Sequence, residues 1–297
     1  MEDDFFLTNL ELRESTDTGE EREGLSHRTM TGMFLLQVRE LAARGEPQGA
    51  VTVVHDAGDH GGRYQGFAGA LAEGQWAVAL PDLRGHGGTE GDRGHSGGIN
   101  EVVRDLAAIQ DHLAYRLPDS PKVLVGQGLG ALYSLAFAVE KPGQLGALVL
   151  IAPLHAPAFD LPVAPSGLKK FFKKVGPRSA GQIGYTPEQL FSDPAALSSW
   201  TGDALVHDSI TLRAGEQAID AAARYWPRLA TLGLPTLIVH GDQDPISDVA
   251  TSRALAGDSV TVEVIEGARH QPLNDGGSEQ VRERILEWLA ANVRSGF

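Results

Sequence analysis

The chain contains no cysteine. Disulfides, thiolate zinc sites and a cysteine nucleophile are therefore excluded outright. No stretch reaches the roughly 18 uninterrupted apolar residues that a bilayer-spanning helix needs. The opening MEDDFFLTNLELRE is acidic and lacks the basic-then-apolar layout of a secretory signal, so a cytoplasmic location is the expectation. Positive charge is also scarce: 25 Lys and Arg stand against 39 Asp and Glu, a formal net charge of −14. A surface of that sign repels polyanions, which argues against nucleic acid and anionic membranes as general partners.

At 297 residues there is room for one large α/β domain, or for a core with an inserted subdomain. Two early strands, FFLTNLEL and MFLLQVRELA, precede a regular alternation that begins at Ala50. AVTVVHD, WAVALPD, KVLVGQG and GALVLIAP read as buried strands, separated by the helical stretches RYQGFAGALAE, INEVVRDLAAIQDHLAYRL and LGALYSLAFAVEK. Short apolar runs alternating with amphipathic helices predict a parallel sheet covered on both faces. The rhythm stops near Leu154 and resumes after Leu234 with PTLIVHG, VTVEVIEG and a last helix, for which Ser278 is the expected N-cap. The pattern divides the chain into a core of residues 1–153 and 235–297, with 154–234 inserted as a cap over the strands' carboxyl ends. Ligand sites of open α/β sheets lie at those ends.

The loops after the strands carry the chemistry-bearing residues. They read His55-Asp56-Ala57-Gly58-Asp59-His60, then Asp82-Leu83-Arg84-Gly85-His86-Gly87, then GQGLG at 126–130, then GDQD ending at Asp244, then EGARH ending at His270. An acid after the penultimate strand and a histidine after the last give the order nucleophile, acid, base, which marks the α/β-hydrolase arrangement. The chain resembles the monoglyceride lipase and lysophospholipase branch of that superfamily. Those proteins carry H-G-x-G-x-H-S-G-R-Y, D-x-R-G-H-G-x-S-x-G, G-H-S-M-G, G-x-x-D and E-G-x-x-H; here HDAGDHGGRY, DLRGHGGTEG, GQGLG, GDQD and EGARH follow in the same order. The resemblance implies an α/β-hydrolase fold, a mostly parallel sheet flanked by helices with an inserted cap. It also implies Asp244 as acid, His270 as base and the backbone amides of Ala57 and Leu129 as the oxyanion hole. No cofactor is implied, and the ligand would be a small apolar or acyl-containing molecule.

The family's nucleophile falls on Gly128, which has no side chain. GHSGG at 94–98 matches G-x-S-x-G literally, but a polar, glycine-rich segment precedes it, so Ser96 reads as a loop residue before a helix. Glycine at an elbow relieves a backbone strain of about 1–3 kcal/mol. A second departure is Asp56, where the family has glycine. A carboxylate about 5 Å from a forming oxyanion would cost roughly 3 kcal/mol at an effective dielectric near 20; the bland alternative is that Asp56 points to solvent. The leading expectation is a protein that binds its ligand without hydrolysing it. Two alternatives stay open: His270 and Asp244 acting as a general base without a covalent intermediate, or ordinary carboxylic-ester hydrolysis.

His55, His60, His86 and His240 with Asp56, Asp59 and Asp82 show no zinc-type spacing, so no metal is expected. His240 reads as a satisfied residue at a strand end. In LKKFFKKV, residues 168–175, Leu168, Phe171, Phe172 and Val175 share one helical face with lysines opposite. Phe171 and Phe172 are candidate substrate contacts within a cap helix, and the same segment could make weak contact with a membrane surface.

Overall fold

The computed structural model describes residues 4–15, 30–163 and 175–293. Its strands are β1 (Phe6–Ser15), β2 (Met30–Leu41), β3 (Gly49–Val54), β4 (Trp76–Pro81), β5 (Lys122–Gln127), β6 (Ala147–Ile151), β7 (Ala180–Gln182), β8 (Ser209–Thr211), β9 (Thr236–Gly241) and β10 (Val260–Ile265). The α-helices are α1 (Gln65–Glu73), α2 (Ile99–Arg116), α3 (Leu129–Glu140), α4 (Pro187–Leu190), α5 (Pro194–Thr201), α6 (Leu212–Tyr225), α7 (Val249–Ala254) and α8 (Ser278–Asn292). Eight strands form one sheet in the order β1-β2-β4-β3-β5-β6-β9-β10. Strands β4 to β10 along that order pair in parallel, while β1 and β2 add an antiparallel edge. This is the α/β-hydrolase fold expected from the sequence.

Continuous apolar runs make the central strands buried on both faces, as in β3 and β5, where every residue is buried. One face packs Leu106, Ile109, Leu132 and Phe137 from α2 and α3, together with Ala218 and Ala222 of α6. The other packs Phe67 and Leu71 of α1 with Ile285, Trp288 and Leu289 of α8. Tyr64, Phe67 and Leu71 are all fully buried. The strand order reverses about β3: β4 lies on one side of it and β5 on the other. The loops leaving β3 and β5 therefore flank a topological switch point, where open α/β sheets form their binding crevice.

Between β6 and β9 the chain leaves the sheet and forms the small antiparallel pair β7-β8 with α4, α5 and α6. Its inner edge is tied to the strand-end loops: the His207 amide donates to the Gly58 carbonyl at 3.0 Å, and Thr211 to Gly94 at 3.2 Å. One local expectation is corrected. Ser278 is the first residue of α8, and the N-cap is Gly277, with no side-chain cap bond. The amphipathic segment at 168–175, with Phe171 and Phe172, lies outside the described residues apart from Val175. Among the described residues no helix is long and apolar enough to cross a membrane.

Candidate functional site

Gly128 closes β5 and opens α3 with φ 55° and ψ −114°, the left-handed backbone that a side chain resists. Its amide donates to the Ile151 carbonyl at 2.9 Å, and its carbonyl accepts from Leu154. Two further glycines make the turn possible. A Cβ on Gly130 would strike the carbonyls of Val54 and His55, and one on Gly126 would strike Gly130 and Ala131. The turn is thus a strand-to-helix elbow with position 128 at its apex.

The space above the apex is filled. A Cβ built on Gly128 would run into the Asp56 carboxylate, far inside van der Waals contact. Asp56 is 2 % exposed, which rules out the alternative that it points to solvent. Its Oδ1 accepts from the amides of both Ala57 and Leu129, each at 2.7 Å. Those amides are the pair the resemblance assigned to an oxyanion. Instead of repelling an anion held there, Asp56 is itself the anion, in charge-assisted bonds at the N-terminus of α3.

The second oxygen of Asp56 faces the imidazole. Oδ2 lies 3.2 Å from His270 Nε2, an ion-pair contact to which the N–H is not aligned as a hydrogen bond. Gln271 Nε2 reaches the same oxygen at 3.5 Å. On its other side the ring's Nδ1 donates to Asp244 Oδ2 at 2.8 Å. Gln127 Nε2 donates to the His270 carbonyl at 2.6 Å, pinning the loop after β10 to the end of β5. His270 is fully buried. Burial works against its charged form, but Asp244 and then Asp56 prevail and raise the ring to about 10. Asp244 moves the opposite way: burial would raise it, yet His270 and His240 hold it well below the usual carboxylate range.

Sequence reasoning missed three participants. His240 Nε2 bonds Asp244 Oδ2 at 2.9 Å while its Nδ1 faces Ser252 Oγ at 2.7 Å. Asp244 therefore joins two imidazoles. The spacing of four residues between His240 and Asp244 was visible but had been given the bland strand-end reading. Gln271 carried no signal. Tyr185, from the inserted segment, stacks edge-on to His270 with ring centroids 5.8 Å apart, and its buried hydroxyl has no hydrogen-bond partner. Burial, with Asp56 and Asp244 nearby, pushes that phenol far up.

The other candidates serve the loops. Ser96 is buried before α2, within 3.4 Å of the Gly98 amide and bonded by Tyr133, with no contact to His270. His55 accepts the Leu83 amide on Nε2 at 2.9 Å and donates through Nδ1 to the Asp56 carbonyl at 2.7 Å. Burial lowers it to about 3, so it is neutral. Asp82 receives Gly61 and Gly88 amides and pairs with Arg39. His60 donates to Asp203 of the inserted segment at 2.9 Å.

The family described as serine aminopeptidase, S33 (Hydrolase_4) matches residues 45–277. The chain belongs to this family. Among the relatives of this Hydrolase_4 protein, a monoacylglycerol lipase of Mycolicibacterium smegmatis is 26 % identical over 253 residues, covering 84 % of this chain and 90 % of that protein. The monoglyceride lipase of Mus musculus is 30 % identical over 236 residues, 76 % of each. The crystal structure of the Paleococcus ferrophilus monoacylglycerol lipase aligns with TM-score 0.75 and 27 % identity, over 86 % of this chain and 99 % of that one.

Proposed function

We propose that this chain is a hydrolase of neutral, apolar, acyl-containing small molecules, in which His270, oriented by Asp244, moves the proton. The carrying observation is the unbroken, buried contact Asp244–His270–Asp56 ending on the Ala57 and Leu129 amides. A group that merely bound a ligand would have no need of a charged imidazole between two carboxylates, since burying three charges is costly without a use for them. The relatives support an enzyme as well: they are named as lipases. The binding-only expectation drawn from Gly128 has no comparable support. Residues 154–234 act as the cap and bring Tyr185 to the site, while 1–153 and 235–297 supply the core. Two carboxylates around one imidazolium leave the site net negative, which favours a neutral substrate over a free acid. On this reading Gly128 stands where the resembled proteins carry serine, and the third group is Asp56.

The test is turnover of a panel of monoacylglycerols, medium-chain p-nitrophenyl esters and neutral lipid oxiranes by the wild type and His270→Ala. The expected result is turnover of at least one substrate, reduced at least ~100-fold by the substitution, with no labelling by a fluorophosphonate. Silence across the whole panel, or turnover indifferent to His270, sinks the proposal.

A further inference from the structure

We infer that Asp56 is the nucleophile of this site and that it attacks a saturated carbon, the oxirane of a neutral lipid-like chain, in place of an ester carbonyl. This rests on the site being hydrolytic, and it names the bond that is opened. The two oxygens of Asp56 are engaged differently. Oδ1 already occupies both amides at 2.7 Å. Attack on an ester carbonyl would build negative charge on the substrate oxygen with no donor pair left to receive it, forfeiting the largest stabilising contribution of acyl transfer. It would also produce an anhydride. Displacement at a saturated carbon needs no such hole in its first step. It needs a positioned carboxylate oxygen and an acid for the departing oxygen, and carboxylates serve as covalent nucleophiles in other enzymes.

The site meets both requirements. Oδ2 is the oxygen that no backbone amide holds, and it faces the His270 side of the site. The His270 Nε2–H is not aligned on a hydrogen bond, and Tyr185, whose ring lies edge-on to the imidazole with centroids 5.8 Å apart, carries a buried, unpartnered hydroxyl. Two unengaged donors thus belong to residues grouped around Oδ2, whose own contacts are His270 Nε2 at 3.2 Å and Gln271 Nε2 at 3.5 Å, and an oxirane oxygen could receive them.

In the first step Oδ2 forms a bond to an oxirane carbon. The carbon–oxygen bond breaks with its electron pair going to oxygen, which takes the proton of His270 Nε2 while Tyr185 donates a hydrogen bond. The result is a hydroxyalkyl ester of Asp56 and a neutral imidazole. In the second step His270 removes a proton from water, and the water oxygen bonds to Asp56 Cγ. The charge that develops falls on Oδ1, which already sits between the Ala57 and Leu129 amides, so the pair stabilises the tetrahedral state without movement. Collapse breaks the Cγ–Oδ2 bond, and Oδ2, now carried on the substrate carbon, takes the proton from His270. A vicinal diol leaves, and the Asp56 carboxylic acid returns its proton to the ring. Water is the sole co-reactant. The electrostatics follow the same cycle: two carboxylates hold the ring protonated at about 10 in the resting site, and esterifying Asp56 removes one of them, which lowers the ring's basicity and lets it hand its proton to the departing oxygen more readily.

The experiment is a single turnover, enzyme in excess, of styrene oxide and of epoxidised methyl oleate in heavy-oxygen water. The expected diol from the first turnover carries no heavy oxygen, and the peptide containing Asp56 gains one. His270→Gln is expected to accumulate a covalent adduct of substrate mass on that peptide, and Asp56→Asn to lose at least ~100-fold in oxirane turnover with its melting temperature retained. Heavy oxygen in the first-turnover diol with no adduct overturns the inference. So does absence of oxirane turnover; if His270-dependent ester hydrolysis nevertheless remains, the hydrolase reading survives and the Asp56 assignment alone falls.

Discussion

A serine at position 128 would have to share its space with the Asp56 carboxylate, because the Cβ site and that carboxylate overlap. Introducing a hydroxyl by Gly128→Ser alone is therefore expected to yield no esterase and a lower melting temperature, through both the clash and the positive φ of 55°. Removing the obstruction as well changes the outcome. In Asp56→Gly/Gly128→Ser the amides of Ala57 and Leu129 are released, and His270 faces a hydroxyl. The double variant should gain fluorophosphonate labelling and p-nitrophenyl ester turnover that neither single variant shows. Equal labelling of Gly128→Ser would mean that Asp56 yields its place freely. A second consequence at this scale concerns pH. His270 titrates at about 10 in the fold, above an ordinary value of 6.5. A raised histidine contributes stability that is complete below about 6.5 and is lost as pH rises through about 10, a loss of the order of a few kcal/mol. Chemical denaturation between pH 7 and 10 should show this decline in the wild type, and a clearly smaller one in His270→Gln. Parallel declines in both proteins would place the alkaline loss elsewhere.

At the level of elements, most of the frame was legible. The alternation of apolar runs and amphipathic helices from Ala50 onward predicted β3 to β6 with their helices in order, because burial on both faces of a parallel strand writes itself as an unbroken apolar run. The order of Asp244 and His270 after the last two strands was equally readable, and the structure brings them to 2.8 Å. What escaped was side-chain direction in loops. Nothing in HDAGD says whether the carboxylate of Asp56 turns outward or back onto the amides of residues 57 and 129, since that choice is made by the elbow folding against it from 73 residues away. The electrostatic penalty anticipated for Asp56 assumed an empty hole; the carboxylate removes the penalty by filling it. Tyr185 was hidden for a related reason. The inserted segment has no regular period, so its contacts with the strand-end loops follow from tertiary packing alone. Ser278 shows the smaller failure: helix ends shift by a residue, and the turn before α8 places Gly277 at the cap.

Across the whole molecule, the site lies between two bodies of unequal regularity. The sheet holds Asp56, Gly128, Asp244 and His270 on loops at the carboxyl ends of β3, β5, β9 and β10, and the inserted segment supplies Tyr185. Asp203 is one tie between them. Its Oδ2 accepts from His60 Nε2 at 2.9 Å and from Arg63 Nη1 at 3.3 Å, both side chains largely buried in the loop after β3. That loop also carries Asp56, so the tie connects the segment carrying Tyr185 to the residue it would assist. Partly exposed pairs of this kind contribute about 1 kcal/mol or less, too little to decide global folding but enough to alter local opening. In Asp203→Ala, amide exchange over residues 183–207 should accelerate by about fivefold, with β3, β5 and β6 unchanged, and turnover should fall through Tyr185 without loss of the Asp244–His270 contact. Exchange measured by mass spectrometry checks the first part and single-turnover rates the second. Acceleration spread evenly over the central strands would show that Asp203 supports the fold as a whole, and unchanged exchange at 183–207 would show that the segment is held by its backbone bonds to Gly58 and Gly94 instead.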